Sequence, residues 1–168
     1  MTNLFEDIKI LYAALRQKKW DEFKRHVSLG DLFTDRWETA AFLGFGSGSS
    51  CYDNVLVLGD VTVGKNSWIG PNVILDGRGG LEIGDFVTVC AGTQIYTHDS
   101  VEWSTSLGEA PLAVAPTRIG NGVFLGPQVI VQKGVTIGDK AVVGAASFVN
   151  KDVPAGAKAW GNPAQVKG

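Results

Sequence analysis

The chain has 168 residues, 45% of them hydrophobic, which is one domain's worth with enough apolar content to bury a core. Fifteen basic and 17 acidic residues give a net charge of −2, and no Lys/Arg run is dense enough to track a phosphate backbone, so nucleic acid is excluded as an expected partner. The opening MTNLFEDIK places acidic residues inside its apolar stretch, unlike a secretory leader, and no window reaches the length of a membrane span. Cys51 and Cys90 are too few for a disulfide framework and fall at small-residue repeat positions, so a cytoplasmic protein with free thiols is expected.

From residue 3 to about 43 the spacing is helical. Leu4, Ile8, Leu11 and Leu15 recur three and four residues apart, and Trp20, Phe23 and Val27 continue the pattern as a second short segment. Gly30 and Asp31 read as a helix stop and a new N-cap, and Arg36 to Leu43 as one more short helix ending at Gly44. Residues 1–44 are therefore expected to form a helical cap, and residues 45–168 a second unit of different construction.

From Phe45 the period becomes six. Aliphatic residues stand at Val57, Val63, Ile69, Leu75, Ile83, Val89 and Ile95, and again at Ile119, Leu125, Val131, Ile137, Val143 and Val149; Phe45 and Cys51 keep the register upstream. Glycine often follows, and four residues after the aliphatic comes a small or β-branched side chain such as Ser67, Val73, Thr93, Val129 or Ser147. One inward aliphatic and one bend per six residues describe a parallel β-helix. The units sort into three self-similar sets, which implies three faces and a coil of three units. Five coils at about 4.8 Å spacing make a prism on the order of 24 Å tall, each inward aliphatic contributing about 1.5 to 3 kcal/mol on burial.

Two places break the rhythm. Gly79 and Gly80 are two extra residues between Leu75 and Ile83, expected as a small bulge. The excursion from about Thr97 to Arg118 is far longer than a connection of about 4 to 6 residues. His98 stands at its root, in the string IYTHDS.

The strings YTHDS, the excursion ending APTRIGNGVFLGPQVIVQKGVTIGDKAVVGAASF, and the GNPA of residues 161–164 resemble the hexapeptide-repeat acyltransferases, and specifically their sugar O-acetyltransferase branch. The resemblance runs from Val57 to Val166. It implies an all-β fold, a left-handed parallel β-helix of about five coils with a long loop near residues 99–116; the left-handed sense comes from the resemblance alone, against the right-handed rule for crossovers. It further implies a homotrimer with active sites at subunit interfaces, acetyl-CoA as co-substrate, and no metal.

By the same resemblance His98 is the general base, and its chemistry agrees, because transfer of an acetyl group from a thioester to a hydroxyl requires a proton acceptor that titrates near neutrality. A backbone N–H near the groove is expected to stabilise the oxyanion. Asp99, Glu102, Glu109 or a backbone carbonyl are candidates to hold the second ring nitrogen. Stacking register places Arg78 one coil beneath His98 and Asp76 beneath Tyr96, where they would line an acceptor pocket, and Tyr96 and Trp103 would stack on a sugar ring. For coenzyme A the implied contacts are Gly126, Gly144, Ala145, Ala146, Lys151, Lys158 and Pro163, all of which are equally explained as repeat glycines, small turn residues and solvated lysines. His26, beside Arg25, reads as a solvated helix residue.

The expected function is acetyl-CoA-dependent O-acetylation of a sugar hydroxyl in polysaccharide or surface-glycan synthesis. The enzymatic alternative is N-acetylation of an amino group on a nucleotide-linked sugar, and the non-enzymatic one a structural β-helix scaffold. A β-helix carbonic anhydrase needs three histidines on zinc and the chain has two; a Cys90 nucleophile has no second histidine in register to activate it.

Overall fold

The computed structural model describes residues 3–167, in a left-handed parallel β-helix preceded by three helices. Every inward aliphatic of the six-residue pattern lies in register with its counterpart one coil away. On face A the column is Cys51, Ile69, Val89, Leu125, Val143 and Ala159. Face B stacks Val57, Leu75, Ile95, Val131 and Val149. On face C, Val63, Ile83, Ile119, Ile137 and Val153 align, with Phe45 beneath them through the bond from Gly46 N–H to the Val63 carbonyl. Five full coils and the start of a sixth result.

These columns form the core, and nearly all of their side chains are closed to solvent. The second small residue of each unit fills the corners: Val73, Val87, Val123, Val129 and Ala141 are buried outright, and the polar corner residues are satisfied by the next coil. Ser67 Oγ donates to the Gly84 carbonyl at 2.9 Å, and Thr93 Oγ1 to the Gly126 carbonyl at 3.0 Å. Corner residues take the left-handed conformation that a sharp bend requires, glycine at Gly92 and Gly122 but also Asn72, Phe86, Gln128 and Lys140.

The helices differ from the expected segmentation. α1 runs unbroken over Leu4–Phe23, so Trp20 and Phe23 belong to it, and it stops at Lys24, whose left-handed backbone returns its N–H to the Trp20 carbonyl. Gln17, Lys18 and Lys19 are good helix formers and carry the helix through a stretch where apolar spacing alone suggests a break. Gly30 begins α2 (Gly30–Phe33) rather than ending a helix, and the new N-cap is Asp35, which opens α3 (Arg36–Phe42) by accepting from the N–H groups of Trp37 and Glu38. Leu32 of α2 is buried, and Ala40 of α3 joins Phe45 and Cys51 in the core. α1 leans on α2 and buries none of its residues. At the far end Lys158–Gly161 extends face A, and Ala164–Lys167 folds back along it as the single antiparallel partner of that sheet.

Candidate active site

The corner between faces B and C is where both breaks in the period fall, in consecutive coils. Gly79 and Gly80 widen the second coil, with the register against the first shifting between Gly59 and Val61. One coil higher the chain leaves the prism as an arm: His98–Asp99 pairs antiparallel with Ala113–Val114, and α4 (Val101–Thr105) lies between. The two breaks fit together. Gly79 N–H donates to Thr97 Oγ1 at 2.7 Å, and a Cβ at Gly79 would stand 2.7 Å from both the Thr97 carbonyl and Val114 Cγ1. The widened glycine corner is thus the seat on which the arm's root rests.

Asp76 is the centre of the site. Its side chain is buried and accepts from five donors: Arg78 N–H at 3.1 Å, Thr97 N–H at 2.8 Å, Thr97 Oγ1 at 3.2 Å, His98 N–H at 3.1 Å and His98 Nδ1 at 2.6 Å. Burial pushes its pKa up, but the bonds from Thr97, His98 and Arg78 together outweigh burial and hold the carboxyl below its ordinary value. An ionised carboxylate only accepts, so Nδ1 carries the ring hydrogen, and in the neutral ring the lone pair is on Nε2. His98 is partly exposed, its side chain 26% accessible against 1% for Asp76. It borders a groove of about 460 Å³ walled by Tyr96, Val101, Ile130, Gln132, Lys133 and Phe148.

The expected orienting groups are therefore corrected. Asp99 is not the partner of the His98 ring: its carboxylate takes Lys133 Nζ at 2.6 Å, which ties the arm's root to the next coil and lowers the Asp99 pKa. Glu102 and Glu109 are exposed on the arm, and neither side chain bonds His98. Asp76, placed by register beneath Tyr96, leans across the corner to the neighbouring column. Tyr96 lines the groove and donates its hydroxyl to Gln94 Oε1 at 2.7 Å. Arg78 is exposed at the corner, with only its backbone in the Asp76 network. Trp103 stands on α4 against Gly108, half exposed, and is outside the wall of the groove.

The seven positions considered for coenzyme A do not gather in one place. Gly126, Gly144, Ala145 and Ala146 stack on the A–B edge, and Pro163 lies in the turn between Lys158–Gly161 and Ala164–Lys167. Lys158 points outward on face A, and Lys151 falls on the B–C edge one coil above Lys133. A Cβ at Gly126 would lie 2.7 Å from the Ala145 nitrogen, and one at Gly144 2.9 Å from Trp160 Cβ, so close stacking already accounts for both glycines. Burial raises the Cys90 pKa, which leaves little thiolate for nucleophilic attack, and Cys51 is pushed up to about 12 by burial and by Asp31 and Asp53. No described helix is long and apolar enough to cross a membrane.

Comparison with known proteins agrees with this architecture. Residues 116–151 match the profile of the bacterial transferase hexapeptide (six repeats), and residues 60–97 that of the hexapeptide repeat of succinyl-transferase. Galactoside O-acetyltransferase of Escherichia coli is 32% identical over 125 residues, covering 62% of this chain and 62% of its own; this chain thus spans about three fifths of that relative's length. Among solved structures, a hexapeptide-repeat-containing acetyltransferase from Vibrio cholerae superposes with a TM-score of 0.66 at 26% identity, over 96% of this chain and 92% of that one. A maltose O-acetyltransferase from Clostridium difficile gives 0.60 at 28% identity, over 96% and 83%. With its coils, its repeat profiles and these relatives in agreement, residues 60–97 and 116–151 carry the hexapeptide repeats of bacterial transferases, and the chain is similar to sugar O-acetyltransferases built on them.

Proposed function

We propose that the protein is an acetyl-CoA-dependent O-acetyltransferase that acts on a sugar hydroxyl, with His98 as general base. The observation that carries this reading is the Asp76–His98 pair: a buried, ionised carboxylate fixes Nδ1–H and leaves a basic Nε2 beside an open groove. Nε2 takes the acceptor hydroxyl's proton as its oxygen attacks the thioester carbonyl. The tetrahedral oxyanion then collapses, the C–S bond breaks, and the imidazolium returns the proton to the departing thiolate. Asp76 stabilises the imidazolium between the two proton transfers, and no acyl-enzyme is formed. The sugar O-acetyltransferase relatives favour a hydroxyl over an amino acceptor.

The active form is a homotrimer. Outward positions on face A carry Trp68, Phe124 and Trp160, and those on face B Leu56 and Ile130, all exposed, whereas face C presents Thr62, Glu82, Arg118 and Thr136. Two adjacent apolar sides and one polar side suit three prisms around an axis, with face C to solvent. The arm, with Leu107 94% exposed at its far end, is the segment that would reach a neighbour's groove. Polysaccharide or surface-glycan synthesis is the setting in which sugar hydroxyls are acetylated by such an enzyme.

The test is acetyl-CoA consumption against a panel of hydroxyl and amino sugars, with His98→Ala as control. Turnover with a hydroxyl acceptor that falls by two to four orders of magnitude in the variant supports the reading. Turnover unchanged in the variant removes His98 as base, preference for amino sugars replaces O- by N-acetylation, and absence of acetyl-CoA binding leaves a scaffold.

A further inference from the structure

A second cavity, of about 350 Å³, lies at the base of the prism between the end of α1, the start of α3 and the first coil. It is remote in the fold from the B–C corner of the arm, and the reading of His98 has no part in it. Three cations line it: Lys19 from α1, Arg25 from the link that follows, and Arg36 from the first turn of α3. None of the three makes an ion pair or a side-chain hydrogen bond among the described residues. The two acids in the wall are otherwise engaged. Asp31 accepts from Ser28 Oγ at 2.7 Å and from Asp53 N–H at 3.0 Å, and Asp35 caps α3. From residue 16 to 36 the chain carries six basic and four acidic residues, in a protein whose net charge is negative.

Arg36 is the telling residue. Its guanidinium lies 4.3 Å from the ring centroid of Trp37 and 5.8 Å from that of Tyr52, so two aromatic planes hold the fork in place. Its Nε is shut off from water and has no hydrogen-bond partner among the described residues. Arg36 lines the cavity while its Nε is closed off, so a ligand would meet the fork through its two Nη groups; the unpaired Nε is a cost that burial imposes on the fold. A planar fork between rings, with two further cations on the wall, matches the oxygens of a phosphate, and the rings offer flat surface to whatever body carries that phosphate.

We propose that this cavity binds a phosphate group carried on a ring, either a sugar phosphate or a nucleotide, with Arg36 as its bidentate anchor and Arg25 and Lys19 as supporting charges.

Titration calorimetry and thermal melting at fixed ionic strength test this with inorganic phosphate, glucose 1-phosphate, uridine monophosphate and, as the carboxylate probe, acetate. The proposal expects each ring-bearing phosphate to bind more tightly than inorganic phosphate, and acetate to bind more weakly than any of them. The preferred ring phosphate identifies the source. Arg36→Met should lose at least tenfold in affinity and all phosphate-dependent stabilisation, yet melt no lower than the unsubstituted protein when phosphate is absent, because the orphaned donor is gone. A guanidinium with a purely structural role gives the opposite pattern, a lower melting temperature and no phosphate dependence in either protein. Arg25→Gln, at a position outside any helix, should weaken binding severalfold and carries the test if Arg36→Met does not fold. Absence of phosphate binding to the unsubstituted protein, or equal binding by both variants, overturns the proposal.

Discussion

The A–B edge and the B–C edge of the prism are built from the same repeat, yet they have different tasks. Along A–B, each turn donates a backbone N–H to the coil before it: Gly92 N–H to the Pro71 carbonyl, Gln128 N–H to that of Ala91, Ala146 N–H to that of Pro127. The residues there are small or turn-forming, and stacking explains them. Along B–C, the second coil is widened by two glycines, the third opens into the arm, and the fourth sends Lys133 back to Asp99. Side chains rather than backbone tie these coils together. A regular edge gives stability, and the proposed chemistry enters where the regularity is given up.

Substitutions that break the contrast should act in a fixed order. Asp76→Ala removes the acceptor of five donors, three of them backbone N–H groups inside the corner, and is expected to cost more than about 3 kcal/mol in chemical unfolding and to abolish turnover. Asp76→Asn is the gentler probe. It keeps the shape but weakens its hold on Nδ1–H and on the imidazolium, so kcat should fall at least tenfold with KM for acetyl-CoA little changed; an unchanged kcat would mean that Asp76 only braces the corner. Next comes Thr97→Val, which deprives Gly79 N–H of its acceptor and Asp76 of a donor. It should cost about 1 to 2 kcal/mol and lower turnover, while Thr97→Ser, which keeps the hydroxyl, should restore both.

Acid is a third probe of the B–C corner. The folded Asp76 pKa lies below its unfolded value of about 3.9, so the unfolded chain binds protons first as pH falls. The stability it contributes is complete above about pH 4 and disappears as pH drops through the folded pKa. Melting temperature should decline with pH across that acid range, and Asp76→Asn should flatten the decline. A slope unaffected by the variant would place the acid sensitivity elsewhere. The smallest effect belongs to the A–B edge. Gln128 holds φ 59 without being glycine, and Gln128→Gly should gain about 0.5 kcal/mol in chemical unfolding, with catalysis untouched. A loss instead would show that its side chain contact over Gly92 matters more than the backbone.

These two edges also mark what sequence reading reached. The columns were legible because a period of six with an inward aliphatic has few other structural solutions, and His98 because it stands where that period stops. Asp76 as holder of the ring was less visible. It is 22 residues from His98 in the chain, and register places it under Tyr96, so only a side chain leaning diagonally across a widened corner brings the two together. The available signal was a carboxylate just before the inserted glycines, since insertions on two successive coils of one edge have to be packed against each other. The unbroken α1 was missed for another reason: it buries nothing, so apolar spacing had little bearing on where it ends.

The strand that turns back at the C-terminal end has a consequence of its own. A stack of parallel rungs has no natural last member, since every rung presents to the next the same bonding groups it used on the one before. By reversing direction at Gly161–Ala164, the chain offers along face A an edge whose polarity no longer matches the first rung of another molecule. End-to-end growth into fibres is thereby discouraged at one end, while α3 and Phe45 occupy the other. The length of the prism is thus set at its two ends, and its middle could gain or lose whole coils without changing how it is sealed.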